Sequence, residues 1–413
     1  MYKIKADGVY ITEVAAADRR CVARMNRMLP NIQSPPVQTL SYEELNKLVA
    51  DQRWFVGGRR GQIKDAGGTK MVFNKFIWRT PEESKAMAAK YPNLRAYMFL
   101  GDGAWTIRDR ESCRKMGGVC QTAWEIHAAW GCLHACDYCH VKKFINIMAN
   151  LEEYVERLAE FSKTIPWQRL YKYDNMTDTI CFEPEYGASE IMVNWFATQP
   201  DKYLLLYTKS DNVEHLLNLN HRGQTIINWS LNCDTVTRNI EKNAPSMDAR
   251  IRAIRLCHQA GYIVRVRVSP IIPVRNWRQE YRTMIRSLFR SAQPDLVTLD
   301  ILGWMTPKQV RDGMDLSLWD AEYLRIFEEI EKLGDVRRGK PYTPDGKQLF
   351  PHDAREKIYT FFLDEVRRIS PETPVAICME APEMWEVFGP EIGMSPDLYF
   401  CCCGPKSGSG GIR

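Results

Sequence analysis

The chain has 413 residues, 45% of them hydrophobic and 11% aromatic, enough to bury a large core. Its 56 basic residues are nearly matched by 51 acidic ones, and the mild net charge of +5 permits nucleic acid as a partner without demanding it. No run of eighteen apolar residues occurs, so no helical membrane span is expected. Met1-Tyr-Lys-Ile-Lys5 leads into Ala6-Asp-Gly8 and not into an apolar signal segment, and with an odd count of thirteen cysteines this predicts reduced thiols and a cytoplasmic protein. Residues 1–120 read as an N-terminal α+β region of unknown role. Ser41-Tyr-Glu-Glu44 is a capping box opening a helix over Tyr42–Asp51, and Thr80-Pro-Glu-Glu83 opens another. Gly57-Gly58 and Gly67-Gly68 punctuate expected hairpins. From Trp124 short β-branched and aromatic runs alternate with amphipathic helices, the rhythm of a parallel sheet. The expected strands are Trp124–Trp130, Thr177–Phe182, Tyr203–Thr208, Thr225–Leu231, Tyr262–Val268 and Leu296–Ile301. Helices are expected over Leu151–Lys163 and Met247–Ala260, the second capped by Gly261.

Cys132-Leu-His-Ala-Cys136-Asp-Tyr-Cys139 places three thiols within eight residues. That spacing suits three irons of a [4Fe–4S] cluster, leaving the fourth iron open to a substrate or cofactor. A closed zinc site is the alternative, with His134 or His140 as fourth ligand, although paired C-x2-C knuckles are its usual signal. The cysteine spacing resembles the radical S-adenosylmethionine (SAM) signature. The resemblance implies an α/β fold, a partial (β/α)6 TIM-like barrel over residues 121–305, with chemistry at the C-terminal strand ends. Extensions would flank it, a C-terminal α/β segment over 306–400 among them.

Strand ends supply groups that could hold SAM: Glu183 for the methionine ammonium, Lys209 for its carboxylate, Ser230 and Asn232 for ribose or carboxylate, and Arg267 and Ser269 on the same rim. Each is equally readable as a hydrogen-bonded loop residue. The succession Phe182-Glu183, Tyr207-Thr-Lys209-Ser-Asp211, Ser230-Leu-Asn232, Ala260-Gly-Tyr262 and Ser269-Pro-Ile-Ile272 is similar to the spore photoproduct lyase family, and the Ile377-Cys-Met-Glu380 segment with Trp385 to its non-spore relatives. Members of that family split a thymine dimer in DNA with a SAM-derived radical. Where the resemblance implies a hydrogen-donating cysteine after the Phe-Glu pair, this chain has Tyr186. No basic, aromatic hairpin for entering a duplex follows Val375. Tyr138 and Tyr186 are therefore the aromatic candidates for the catalytic pocket, with Tyr186 lining it.

Cys401-Cys402-Cys403 precedes a Gly/Ser-rich stretch, and 401–413 reads as a flexible tail. The trio is open to three readings: a buried small-hydrophobe cluster, an auxiliary iron–sulfur or zinc site completed by Cys378 or by Cys113 and Cys120, or capture of a thiophilic substrate. The last is similar in kind to arsinothricin-pathway radical SAM enzymes, which transfer an aminocarboxypropyl group to trivalent arsenic. The expectation is a radical SAM enzyme with [4Fe–4S] and SAM as cofactors and a flavodoxin or ferredoxin as electron donor. Its expected substrate is a small molecule or metalloid held with Cys401, Cys402 and Cys403. A DNA lesion is the second reading, and a non-catalytic iron–sulfur or zinc module the third.

Overall fold

The computed structural model describes residues 1–55, 68–115, 117–139, 141, 144–333 and 349–412. The expected hairpins lie outside these residues, apart from Gly68. Both capping boxes form as expected, opening helices Tyr42–Asp51 and Pro81–Lys90.

Among the described residues the main sheet has eight strands in the order Trp105–Arg108, Ala123–Ile126, Leu170–Tyr173, Tyr203–Thr208, Thr225–Leu231, Ile263–Ile271, Val297–Ile301 and Val375–Ile377. The first pair is antiparallel and every later pair parallel, so the chain steps sequentially along the sheet. Helices such as Leu151–Thr164, Ala188–Phe196, Met247–Gln259 and Trp277–Ser291 fill the crossovers. This is α/β architecture with the parallel order of a partial (β/α) barrel. Tyr203–Thr208 and Thr225–Leu231 match expectation residue for residue. Their near-continuous apolar runs are what strands covered on both faces require.

Thr177–Phe182 is corrected: Thr179–Phe182 is a 3-10 turn, and Leu170–Tyr173 is the strand. Trp124–Trp130 divides in two. Ala123–Ile126 joins the main sheet, while Ala129–Trp130 pairs antiparallel with Phe144–Met148 in a second sheet. That sheet also holds Ile4–Thr12 and Thr69–Asn74, parallel to one another and to Phe144–Met148. The cysteine loop thus connects two neighbouring strands of the second sheet, Ala129–Trp130 and Phe144–Met148.

The tail is docked, which corrects the expectation of flexibility. Ser407–Gly408 and Gly411–Ile412 form a small hairpin. Arg169 and Leu170 donate their backbone N–H groups to the Pro405 carbonyl at 2.7 and 2.9 Å. The fully buried Arg265 donates to the carbonyls of Cys402, Ser407 and Gly408 at 3.3, 3.0 and 2.6 Å. These bonds bind the tail across the N-terminal ends of the barrel strands, as a floor.

Candidate active site

Gly131 turns the chain into the cysteine loop at φ 91°, where a Cβ would lie 1.9 Å from the Phe144 carbonyl oxygen, so the turn demands glycine. Within the loop the Cys139 N–H donates to the Cys136 carbonyl at 3.0 Å, and the Asp137 N–H donates to that of Ile240 at 2.9 Å. The backbone N–H groups of His134 and Val141 point at Cys132 Sγ and Cys139 Sγ, 3.5 and 3.4 Å away. Burial raises the Cys132 thiol, and Asp178, Cys136 and Cys139 raise it further, so the three sulfurs share one electrostatic environment.

The loop fits an iron–sulfur cluster better than a zinc ion. A structural zinc closes its shell with four ligands, whereas three thiols suffice for three irons of a [4Fe–4S] cluster. His134 is already engaged: its Nε2 lies 2.8 Å from Asp178 Oδ2 and its Nδ1 3.3 Å from the Asn243 carbonyl. It braces the loop, which corrects its reading as a zinc ligand. His140 lies outside the described residues.

Behind Cys136 lies a buried polar network. Lys209 Nζ donates to Ser230 Oγ at 2.8 Å and lies 3.8 Å from Glu241 Oε1. Arg250 Nη1 reaches Glu241 Oε2 at 2.6 Å and the Ser230 carbonyl at 3.0 Å, with both side chains fully buried. The Tyr138 hydroxyl donates to Glu241 as well. Burial works against ionising Glu241, but Arg250 and Lys209 outweigh it and hold the carboxyl below its usual range. Burial also pushes the Cys136 thiol up to about 12, against the pull of the Lys209 ammonium. On the next strand Ser269 Oγ donates to Asp300 Oδ2 at 2.7 Å, and Arg267 pairs with the same carboxylate.

The structure thus gathers Cys132, Cys136, Cys139, Tyr138, Lys209 and Ser230, with Arg267 and Ser269 one strand further along. Three expected residues are corrected. Glu183 accepts from the Gly187 and Ser189 N–H groups at 2.8 Å each, so its carboxylate caps the helix Ala188–Phe196. Asn232 is committed to the Pro270 carbonyl and the Tyr281 hydroxyl, at 2.7 Å each. Tyr186 does not line a pocket. It is fully buried, with its hydroxyl 2.8 Å from the carbonyls of both Ala128 and Met148, at the joint between the two sheets. Residue-by-residue reading missed Glu241, Arg250, Asp178 and Asp300. Glu241 and Arg250 sit in charged segments that read as solvated. The strand alternation Val264-Arg-Val-Arg-Val268 was the one available sign of arginines facing inward.

A family model described as spore photoproduct lyase matches residues 119–304. The spore photoproduct lyase of Clostridium acetobutylicum is 21% identical over 243 residues, covering 57% of this chain and 70% of that protein. The Bacillus subtilis one is 28% identical over 180 residues, covering 42% and 52%. A doubly substituted spore photoproduct lyase, solved with bound AdoMet and a dinucleoside spore photoproduct, superposes with a TM-score of 0.62 at 15% identity. That match covers 91% of this chain and 99% of that one, and establishes the shared fold. The matched segment contains the cysteine loop and the strand ends around it, and over that part the chain is similar to spore photoproduct lyases, which are radical SAM enzymes.

Proposed function

We propose that this protein cleaves SAM reductively at a cluster held by Cys132, Cys136 and Cys139 and acts on a small polar substrate inside the barrel. A [4Fe–4S] cluster with SAM on its open iron supplies one-electron scission of a carbon–sulfur bond, the electron coming from a donor of flavodoxin or ferredoxin type. The observation that carries the reading is the Lys209–Ser230 pair, fixed at two successive strand ends beside Cys136. Lys209 presents a cation for the methionine carboxylate, and Ser230 a hydroxyl for the carboxylate or ribose. Glu241 and Arg250 hold both in place and set the charge around them. Tyr138 closes the network from the cysteine loop.

The barrel interior supports a small, polar substrate. In-register pairing puts Glu125 beside Lys172, and Arg267 beside both Ser230 and Thr298, on one face of the sheet. A thiophilic metalloid receiving the aminocarboxypropyl group of SAM is one substrate of this kind. The named relatives favour a second reading, reversal of a DNA lesion.

Anaerobic reconstitution followed by dithionite and SAM separates these. 5′-Deoxyadenosine indicates hydrogen abstraction, and methylthioadenosine indicates aminocarboxypropyl transfer. Conversion of dinucleoside spore photoproduct to dithymidine would establish the second reading. Cluster content and SAM cleavage that survive Cys136→Ala would refute the proposal.

A further inference from the structure

We infer that the barrel floor is a second metal site, an iron–sulfur cluster bound by thiolates drawn from Cys120, Cys378, Cys401, Cys402 and Cys403. It is built from different residues than the loop site and does not rest on the function proposed above.

Cysteines that merely fill space sit among apolar neighbours alone. Cys401, Cys402 and Cys403 join the apolar core, but charged and polar groups face the trio as well. Arg108 Nη1 lies 3.3 Å from Cys403 Sγ, and its Nη2 donates to the Cys403 carbonyl at 3.0 Å. Cys401 and Cys402 lie close enough to Cys403 to act on its thiol. Arg108 is within electrostatic reach of Cys403, Cys120 and Cys401, and Arg267 of Cys378 and Cys402. Two guanidinium groups therefore stand among five thiols, in a chamber where Cys401, Cys402 and Cys403 are all buried.

The charges there are unequal. Lys172 and Arg108 both pair with Glu125, at 3.3 and 2.9 Å. Arg265 pairs with Asp295, and Arg267 with Asp300. Four cations thus face three carboxylates, and an uncompensated buried charge is strongly destabilising. A centre with an excess of thiolate ligands supplies the missing negative charge. Donors are also left over: Arg267 Nε, Thr298 Oγ1 and Asn228 Nδ2 are buried without a partner on the inward faces of three adjacent strands. Hydrogen bonds from such groups to cluster sulfurs are a recognised means of stabilising and tuning iron–sulfur centres.

The leftover buried donors favour a cluster, whose bridging sulfides accept hydrogen bonds, over a single ion. A surface cavity of about 330 Å³, lined by Cys120, Gln121, Tyr399, Pro405 and Lys406, reaches one of these thiols, Cys120.

The test is an iron and sulfide count after anaerobic reconstitution, with Mössbauer and X-ray absorption spectra. Wild type should bind about eight irons per chain, against about four for one cluster. The variant combining Cys132→Ala, Cys136→Ala and Cys139→Ala should keep about four, all with sulfur ligation. Combining Cys401→Ser, Cys402→Ser and Cys403→Ser should also leave about four, those of the loop. Four or fewer irons in folded wild type would overturn the inference whether or not either variant folds. So would an iron-free loop variant that instead takes up one equivalent of zinc or trivalent arsenic, returning the trio to a single soft ion.

Discussion

Replacing Glu241 with Gln tests whether the polar network behind the cysteine loop depends on charge. The side chains differ little in shape, so Tyr138 keeps an acceptor while Arg250 loses its counter-ion. Arg250 would then be fully buried with only the carbonyls of Pro245 and Ser230 as partners, at 2.9 and 3.0 Å. Two unit charges about 4 Å apart interact by roughly 4 kcal/mol at an effective dielectric near 20. Breaking a buried pair from one side costs about 3–5 kcal/mol in measured cases. Because domains are stable by only about 5–15 kcal/mol, Glu241→Gln should remove a large share of that margin. Denaturant titration of the cluster-free protein should show a lower midpoint at unchanged slope. The folded-state pKa of Glu241 is depressed, so the contribution is present above the unfolded carboxyl value of about 4.3 and lost as pH falls through the lower folded value. The difference between wild type and variant should therefore hold at neutral pH and narrow only in acid. Adding Arg250→Met should recover part of the loss, since two apolar groups leave no orphaned charge. A loss below about 1 kcal/mol at pH 7 would refute the network as a charge-dependent support.

Tyr186→Phe should cost about 1 kcal/mol, the net worth of one buried hydrogen bond, and leave SAM cleavage within about tenfold; abolished cleavage with an intact cluster would place Tyr186 in the chemistry after all. Arg265→Met removes the donor that joins three tail carbonyls, so trypsin should cut after Lys406 faster than in wild type, and equal rates would show that the tail is held by other means. Burial opposes a charge on His127, but Asp174 at 2.7 Å outweighs it and raises the imidazole above its usual value. Stability from this pair is full below the unfolded value of about 6.5 and lost as pH rises through the higher folded value, so the midpoints of wild type and Asp174→Asn should converge between neutral and alkaline pH.

What could be read directly from the chain was whatever local chemistry dictates. Three thiols at fixed spacing need no tertiary context to suggest a cluster, and Ser41 and Thr80 cap helices through contacts three residues away. Tyr203–Thr208 and Thr225–Leu231 were legible because a strand buried on both faces must be almost wholly apolar or uncharged. Leu170–Tyr173 broke that rule: Lys172 points into the barrel, where Glu125 receives it, and a charge in so short a run reads as loop. Thr177–Phe182 failed in the opposite way. Its β-branched and aromatic residues are indeed buried, but beneath the cysteine loop, where Asp178 takes hydrogen bonds from the Thr208 hydroxyl and the Lys209 N–H. Local propensity cannot tell those two kinds of burial apart. The same limit explains the tail. Gly/Ser composition argues for mobility only while nothing binds the backbone, and the binding comes from Arg265, more than a hundred residues earlier in the chain. Its partner carbonyls belong to no motif, since every residue carries one. Sites assembled from backbone acceptors and distant charges, as the floor and the Glu241 network are, leave little trace in a single sequence. They become visible once strand register fixes which of two alternating faces each arginine occupies.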